Sequence, residues 1–200
     1  MFKPAKIVWL LPLCIILYAC PFESPVALDN KPTEPVDTSF FGYWYGIVKD
    51  GSDFFGIEAL DIQKLSDSTY NIIRYGKVVK GDMILPDTSH FSGYTSKIGD
   101  NLYMNLETTI VEVIPQKKKA PEIKTTKIYY LATLKLNHDT LVVQTVTEGF
   151  AGMNPRFHKP EELKQYLASM ADQNKNIYDD VYKLSYKKTE RPQQQQPKPF

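Results

Sequence analysis

Few side chains in this sequence stand at the spacings that chemistry requires. Three histidines, His90, His138 and His158, fall in separate contexts with no i, i+4 pair, and the two cysteines, Cys14 and Cys20, lie far from all of them. No zinc-ligating set is legible, and no metal or cofactor is expected. Ser89 and His90 are neighbours in a β-prone stretch, where adjacent side chains point to opposite faces and do not make a nucleophile–base pair. Glu161-Glu162 and Asp179-Asp180 are also sequence neighbours and do not converge on one substrate bond. The first pair suits the positive end of a helix dipole and the second a solvated turn. The chain has no Gly-x-Ser-x-Gly elbow, phosphate-cradling glycine loop or calcium loop. The expectation is a protein that binds and does not catalyse.

Two groups of residues suit binding. Lys117, Lys118 and Lys119, with Lys124 and Lys127, form a basic loop. Each lysine there is worth about 1 kcal/mol near an anionic membrane surface, and the same run also suits a solvated hairpin tip. Trp44, Tyr45, Tyr103, Tyr129 and Tyr130 suit a ligand pocket, a partner face or cross-strand core pairs. The formal charge of the 200 residues is +1. Without Lys3 and Lys6 the basic residues fall from 24 to 22 against 23 acidic ones, so no overall field draws nucleic acid.

The first 19 residues set the address. A basic start, Lys3 and Lys6, leads into an apolar run from Ile7 to Leu17. That run is shorter than the roughly 20 residues a bilayer span needs and contains Pro12, so it reads as a signal peptide over residues 1–19. Leu17-Tyr18-Ala19-Cys20 resembles the lipobox of bacterial lipoproteins, a resemblance that implies acylation of Cys20 and membrane attachment through lipid. Those proteins use an aspartate after the cysteine to stay at the inner membrane. Pro21 stands here instead, so the resemblance implies the outer membrane, facing the periplasm or the cell surface. With the Cys20 sulfur occupied and Cys14 removed, no disulfide is possible and the fold stands on its core.

Residues 20–38 carry Pro21, Pro25, Pro32 and Pro35 without periodicity and read as a flexible tether reaching about 25 Å. A β-rich domain is expected over 39–188. Strands are read at Gly42 to Val48, Phe55 to Leu65, Thr69 to Tyr75, Met83 to Leu85, His90 to Ser96, Leu102 to Leu106, Thr125 to Leu136 and Leu141 to Thr147, separated by turn signals such as Asp50-Gly51 and Gly99-Asp100-Asn101. The alternation is clearest where Ile128, Tyr130, Ala132, Leu134 and Leu136 share one face. A helix follows from Pro160, with Leu163, Tyr166, Leu167 and Met170 at i, i+3, i+4, i+7. A closing strand is read over Val181 to Lys187. The glutamine- and proline-rich end, 189–200, reads as a disordered tail.

The fold class is therefore mainly β: an antiparallel meander of about eight strands forming a barrel or sandwich, with one late helix and a closing strand. Gly42-x-Trp44 in the first strand and this order of elements resemble a lipocalin. The resemblance implies that Gly42 and Trp44 close the barrel floor and that the cup holds an apolar or amphipathic small molecule; Tyr130, from the aromatic set, is read with them as ligand pocket or barrel floor. The resemblance also implies an arginine over the tryptophan, for which Arg156 is the nearest candidate. The alternative function is a protein-binding accessory or inhibitor of a cell-envelope complex.

Overall fold

The computed structural model describes residues 21–49, 55–80, 83–116, 120–147, 157–173 and 175–192. The leader, Cys20, the lysines 117–119, Arg156 and the last eight residues lie outside them. Nine strands follow in order: β1 (Glu23–Ser24), β2 (Gly42–Lys49), β3 (Phe55–Lys64), β4 (Tyr70–Lys80), β5 (Met83–Ile98), β6 (Asn101–Ile114), β7 (Glu122–Asn137), β8 (Thr140–Val146) and β9 (Tyr178–Thr189). Helix α1 (Pro160–Asp172) separates β8 from β9. Strands β2 to β9 pair antiparallel with their neighbours, and β9 lies between β8 and β2. This closes an eight-stranded barrel and removes the two long edges that an open meander would expose.

Register fixes which side chains face inward, because directly paired residues share a face. Trp44 pairs with Leu60, Leu60 with Arg74 and Arg74 with Ser89. Ile62 pairs with Ile72, and Ile72 with Phe91. Met104 pairs with Ala132, and Leu136 with Leu141, which pairs with Tyr186. Trp44, Leu60, Ile62, Tyr70, Ile72, Met104, Leu141 and Tyr186 form one buried cluster inside the barrel. Side chains fill this half of the interior. A Cβ on Gly93 would stand 2.9 Å from the Ile72 Cδ1, and one on Gly46 2.9 Å from the Tyr186 ring.

A second core lies on the outer wall. Tyr103 and Leu131 point away from the interior and are covered by Leu163, Leu167 and Met170 of α1 together with Phe22 and Leu28. The helix begins as expected at Pro160, with Glu161 and Glu162 in its first turn and no side-chain bond from Lys159. The Glu162 carboxylate instead accepts from the backbone N–H of His158 at 3.1 Å. No helix among the described residues is long and apolar enough to cross a membrane.

Four expectations are corrected. Residues 21–38 are not a free tether: Phe22, Ser24, Ala27 and Leu28 are buried, β1 pairs with β7, and Asn105 Oδ1 accepts from the Leu28 N–H at 2.8 Å. Burying Phe22 and Leu28 yields about 1.5–3 kcal/mol each, while prolines already held extended lose little freedom on docking. Second, Met83 to Leu85 and His90 to Ser96 belong to one 16-residue strand. Pro86 does not break it, because it sits where β5 pairs with β4 alone and its missing N–H costs no ladder bond. The barrel therefore has seven strands before the helix, and β9 is the eighth. Third, Asp179-Asp180 lie in β9 and not in a turn. Fourth, the start of the expected tail is held in the fold, since Thr189 ends β9 and the Arg191 guanidinium binds the Asp61 carboxylate; the rest of that expectation, 193–200, lies outside the described residues.

Candidate functional site

One end of the barrel is shut by the segment before β2. A 3₁₀ turn, Thr38–Phe40, is capped by the Asp37 side chain, which accepts from the Ser39 N–H at 2.9 Å. Phe40 and Phe41 pack against the Tyr70 ring, whose hydroxyl accepts from the Asp37 N–H at 2.6 Å. Trp44 is fully buried beneath this cap, and its Nε1–H donates to the Phe40 carbonyl at 2.9 Å. The cation over the indole is Lys188, with Nζ 5.1 Å from the ring centroid. Gly42 makes room for it: its φ is +134°, and a Cβ there would lie 3.0 Å from Lys188 Cε. Gly42→Ala is expected to destabilise the barrel by about 1–3 kcal/mol through backbone strain and displacement of Lys188, read as a lower urea midpoint. An unchanged midpoint would mean that the turn relaxes freely.

Charge enters the interior one layer away. Glu58 is 3% exposed, and its two oxygens are both engaged. Arg74 Nη2 donates to Oε2 at 2.7 Å and the Tyr186 hydroxyl donates to Oε1 at 2.7 Å. Arg74 Nη1 also reaches Asp87 Oδ2, more loosely, at 3.4 Å. Burial opposes the Arg74 charge, but the hydrogen bond to Glu58 and its charge outweigh that and hold the guanidinium pKa above its ordinary value. One cation thus stands against two carboxylates. Arg74 keeps donors in excess of those that Glu58 and Asp87 use, and its side chain is 35% exposed.

Beside this cluster the barrel wall divides. β5 and β6 are paired only from Ser92↔Glu107 to Ile98↔Asn101, while β5 continues along β4 to Met83 and β6 continues along β7 to Ile114. Where they part, the Thr108 hydroxyl donates to the His90 carbonyl at 3.0 Å. The fork holds a recess of about 590 Å³, within the size range of small-molecule sites. Its rim is Asn71, Thr88, His90, Ser92, Glu107 and Thr109, and its inner side is Ser89, Phe91 and Thr108. Ser89 is the cross-strand partner of Arg74. Phe91 meets the Tyr130 ring edge-on at 6.3 Å, and the Tyr130 hydroxyl donates to Glu23 Oε1 at 2.8 Å. A second recess, about 500 Å³, lies outside the closed end against Tyr43, Asp61, Lys64 and Arg191.

The residues singled out from sequence are therefore divided. Gly42 and Trp44 share the closed end; Tyr130 stands on the inner face of β7 against Phe91, so the three do not form one site. Tyr103 belongs to the outer core, and Tyr45 is exposed. Glu58, Arg74, Asp87 and Tyr186 carried no motif. Their only sequence signal was charge on an inward-facing register position, which requires knowing the strand pairing.

Buried tyrosines make the fold sensitive to alkali. The hydroxyl pKa values of Tyr70, Tyr94, Tyr130, Tyr178 and Tyr186 are raised, in each case chiefly by burial and for Tyr186 also by the Glu58 charge. The folded chain keeps these protons where the unfolded chain loses them, near pH 10, so the stabilisation is complete below that pH and is lost as pH rises above it. Tyrosinate absorbance is expected to rise in a steep step coincident with loss of β-sheet circular dichroism. Smooth ionisation of all 13 tyrosines with the fold intact would contradict this burial.

Comparison with protein families, curated proteins and solved structures finds no match for this chain. The functional reading comes from its own residues.

Proposed function

We propose that the chain is a lipid-anchored protein of the bacterial envelope whose barrel binds an amphipathic small molecule, without catalysing a reaction. The observation that carries the binding half is the fork between β5 and β6. It joins a hydroxyl- and carboxylate-bearing rim to the Phe91 ring, which meets Tyr130 edge-on, and to Ser89, the cross-strand partner of Arg74. A ligand's apolar part would lie on the rings and its polar group at Ser89 and Arg74. The reading differs from a simple apolar cup, because the closed half of the barrel is filled by Trp44, Tyr70, Met104 and Tyr186.

The anchoring half is supported by Leu17-Tyr18-Ala19-Cys20. Acyl chains on Cys20 would attach the barrel almost directly to the bilayer, since Pro21 is bridged to Thr147 and the Phe22 N–H donates to the Val146 carbonyl. The outer membrane is the favoured address. Intact-mass analysis should show acyl addition, and Cys20→Ser should release the protein from membranes; unchanged attachment defeats this half. Titration with a fluorescent lipophilic amphiphile should saturate at one site and weaken at least tenfold in Ser89→Trp, which fills the fork. Equal binding by both forms defeats the other half.

A second reading, a protein-binding accessory of an envelope complex, is favoured by the apolar side chains Val111, Val113 and Ile123, all exposed on the β6–β7 arm.

A further inference from the structure

We infer that the free edge of β6, from Thr108 to Ile114, is a docking strand for the same strand of a second copy of this chain. Past Ser92↔Glu107, β6 has β7 on one side and no paired strand on the other among the described residues, yet its pairing with β7 continues to Ile114↔Glu122. The seven residues are Thr108-Thr109-Ile110-Val111-Glu112-Val113-Ile114. Six are β-branched, none is proline or glycine, and one is charged. Such a segment is strongly disposed to extended pairing. The edge that β5 presents across the fork is different: Pro86 supplies no N–H and Asp87 adds charge, devices that discourage strand addition. β6 carries no such guard. Its single charge, Glu112, already faces Lys124 across the β6–β7 ladder. Val111 and Val113 are 59% and 61% exposed, and Ile123, the cross-strand partner of Val113, is 68% exposed.

The sequence of this edge is complementary to itself when run antiparallel about Val111. Val111 then faces Val111 of the other copy, Thr109 faces Val113, Ile110 faces Glu112 and Thr108 faces Ile114; because Thr108 and Thr109 also line the fork recess, a docked copy and a ligand in that recess exclude each other. No like charges meet, and the outward face becomes a continuous row of β-branched side chains. Moving the centre one residue to Glu112 would set Glu112 against Glu112, a destabilising pair, so this charge excludes that register, and the one centred on Val111 pairs all seven residues. The product is a four-stranded sheet, β7-β6 of one copy joined to β6-β7 of the other, in an isologous twofold contact. A two-stranded arm is marginal by itself, and the added strands bury its apolar face.

The test uses the full chain in non-ionic detergent with Cys14→Ser and Cys20→Ser, so that neither lipid nor native thiols contribute and failure of the anchor reading leaves the result unaffected. Sedimentation is expected to give a dimer. Val111→Lys should weaken dimerisation at least tenfold while leaving the melting temperature of the monomer unchanged, and Val113→Lys serves as the second such variant. Val111→Cys should be joined to its twin by a short bifunctional maleimide, whereas Leu102→Cys, exposed at the other end of β6, should not. A monomer at tens of micromolar, or equal linking at both positions, overturns the inference. So does a monomer that is trapped through position 111 on a different protein in cells, which would assign the edge to a foreign strand.

Discussion

Trp44→Ala is expected to lower the stability of the barrel by about 3–5 kcal/mol, the range for removing a large buried aromatic side chain. Three interactions end on this residue. Its ring fills the interior cluster with Leu60, Ile62, Tyr70 and Tyr186, its Nε1–H holds the Phe40 carbonyl of the capping turn, and Lys188 lies over its face. Against a total stability of about 5–15 kcal/mol for an ordinary domain, the loss is a large share. Trp44→Phe separates the parts: it keeps much of the apolar volume but leaves the Phe40 carbonyl without its donor, costing about 1–3 kcal/mol. Urea unfolding of both variants measures the difference. A loss under 1 kcal/mol in Trp44→Ala would mean that the closed end does not depend on the indole.

Glu58→Ala is expected to cost about 2–3 kcal/mol, because it removes the acceptor shared by the Arg74 guanidinium and the Tyr186 hydroxyl. The value stays below that for a wholly buried pair because Arg74 is partly exposed and Asp87 can take up some of its charge. Replacing both partners should cost less than the sum of the single changes, since Arg74→Leu in the Glu58→Ala background removes the stranded cation. A double-mutant cycle should therefore show coupling above about 1 kcal/mol. Additive losses would mean that the pair is not a unit.

The strands of the barrel were legible where alternation was strict. Ile128, Ala132 and Leu134 face inward as their spacing requires, and Leu163, Leu167 and Met170 bury one face of α1. Sequence reasoning failed where a local signal met a tertiary circumstance. Pro86-Asp87 reads as a break, but an edge position tolerates proline. Four prolines between 21 and 38 read as a tether, but Phe22 and Leu28 find an outer wall prepared by Tyr103, Leu131 and α1. Nothing local announced that wall. Lys188 over Trp44 was equally hidden, because only the β2–β9 register brings it there from 144 residues along the chain. The fork between β5 and β6 is a difference in where two ladders stop, and no residue type marks it.

Native mass spectrometry of the protein gently purified from cells that make it decides whether the barrel holds a ligand. One small amphipathic molecule is expected bound per chain, lost in Ser89→Trp while the melting temperature stays the same. A bare chain mass from gentle extraction, with no uptake of added lipophilic amphiphiles, would contradict it.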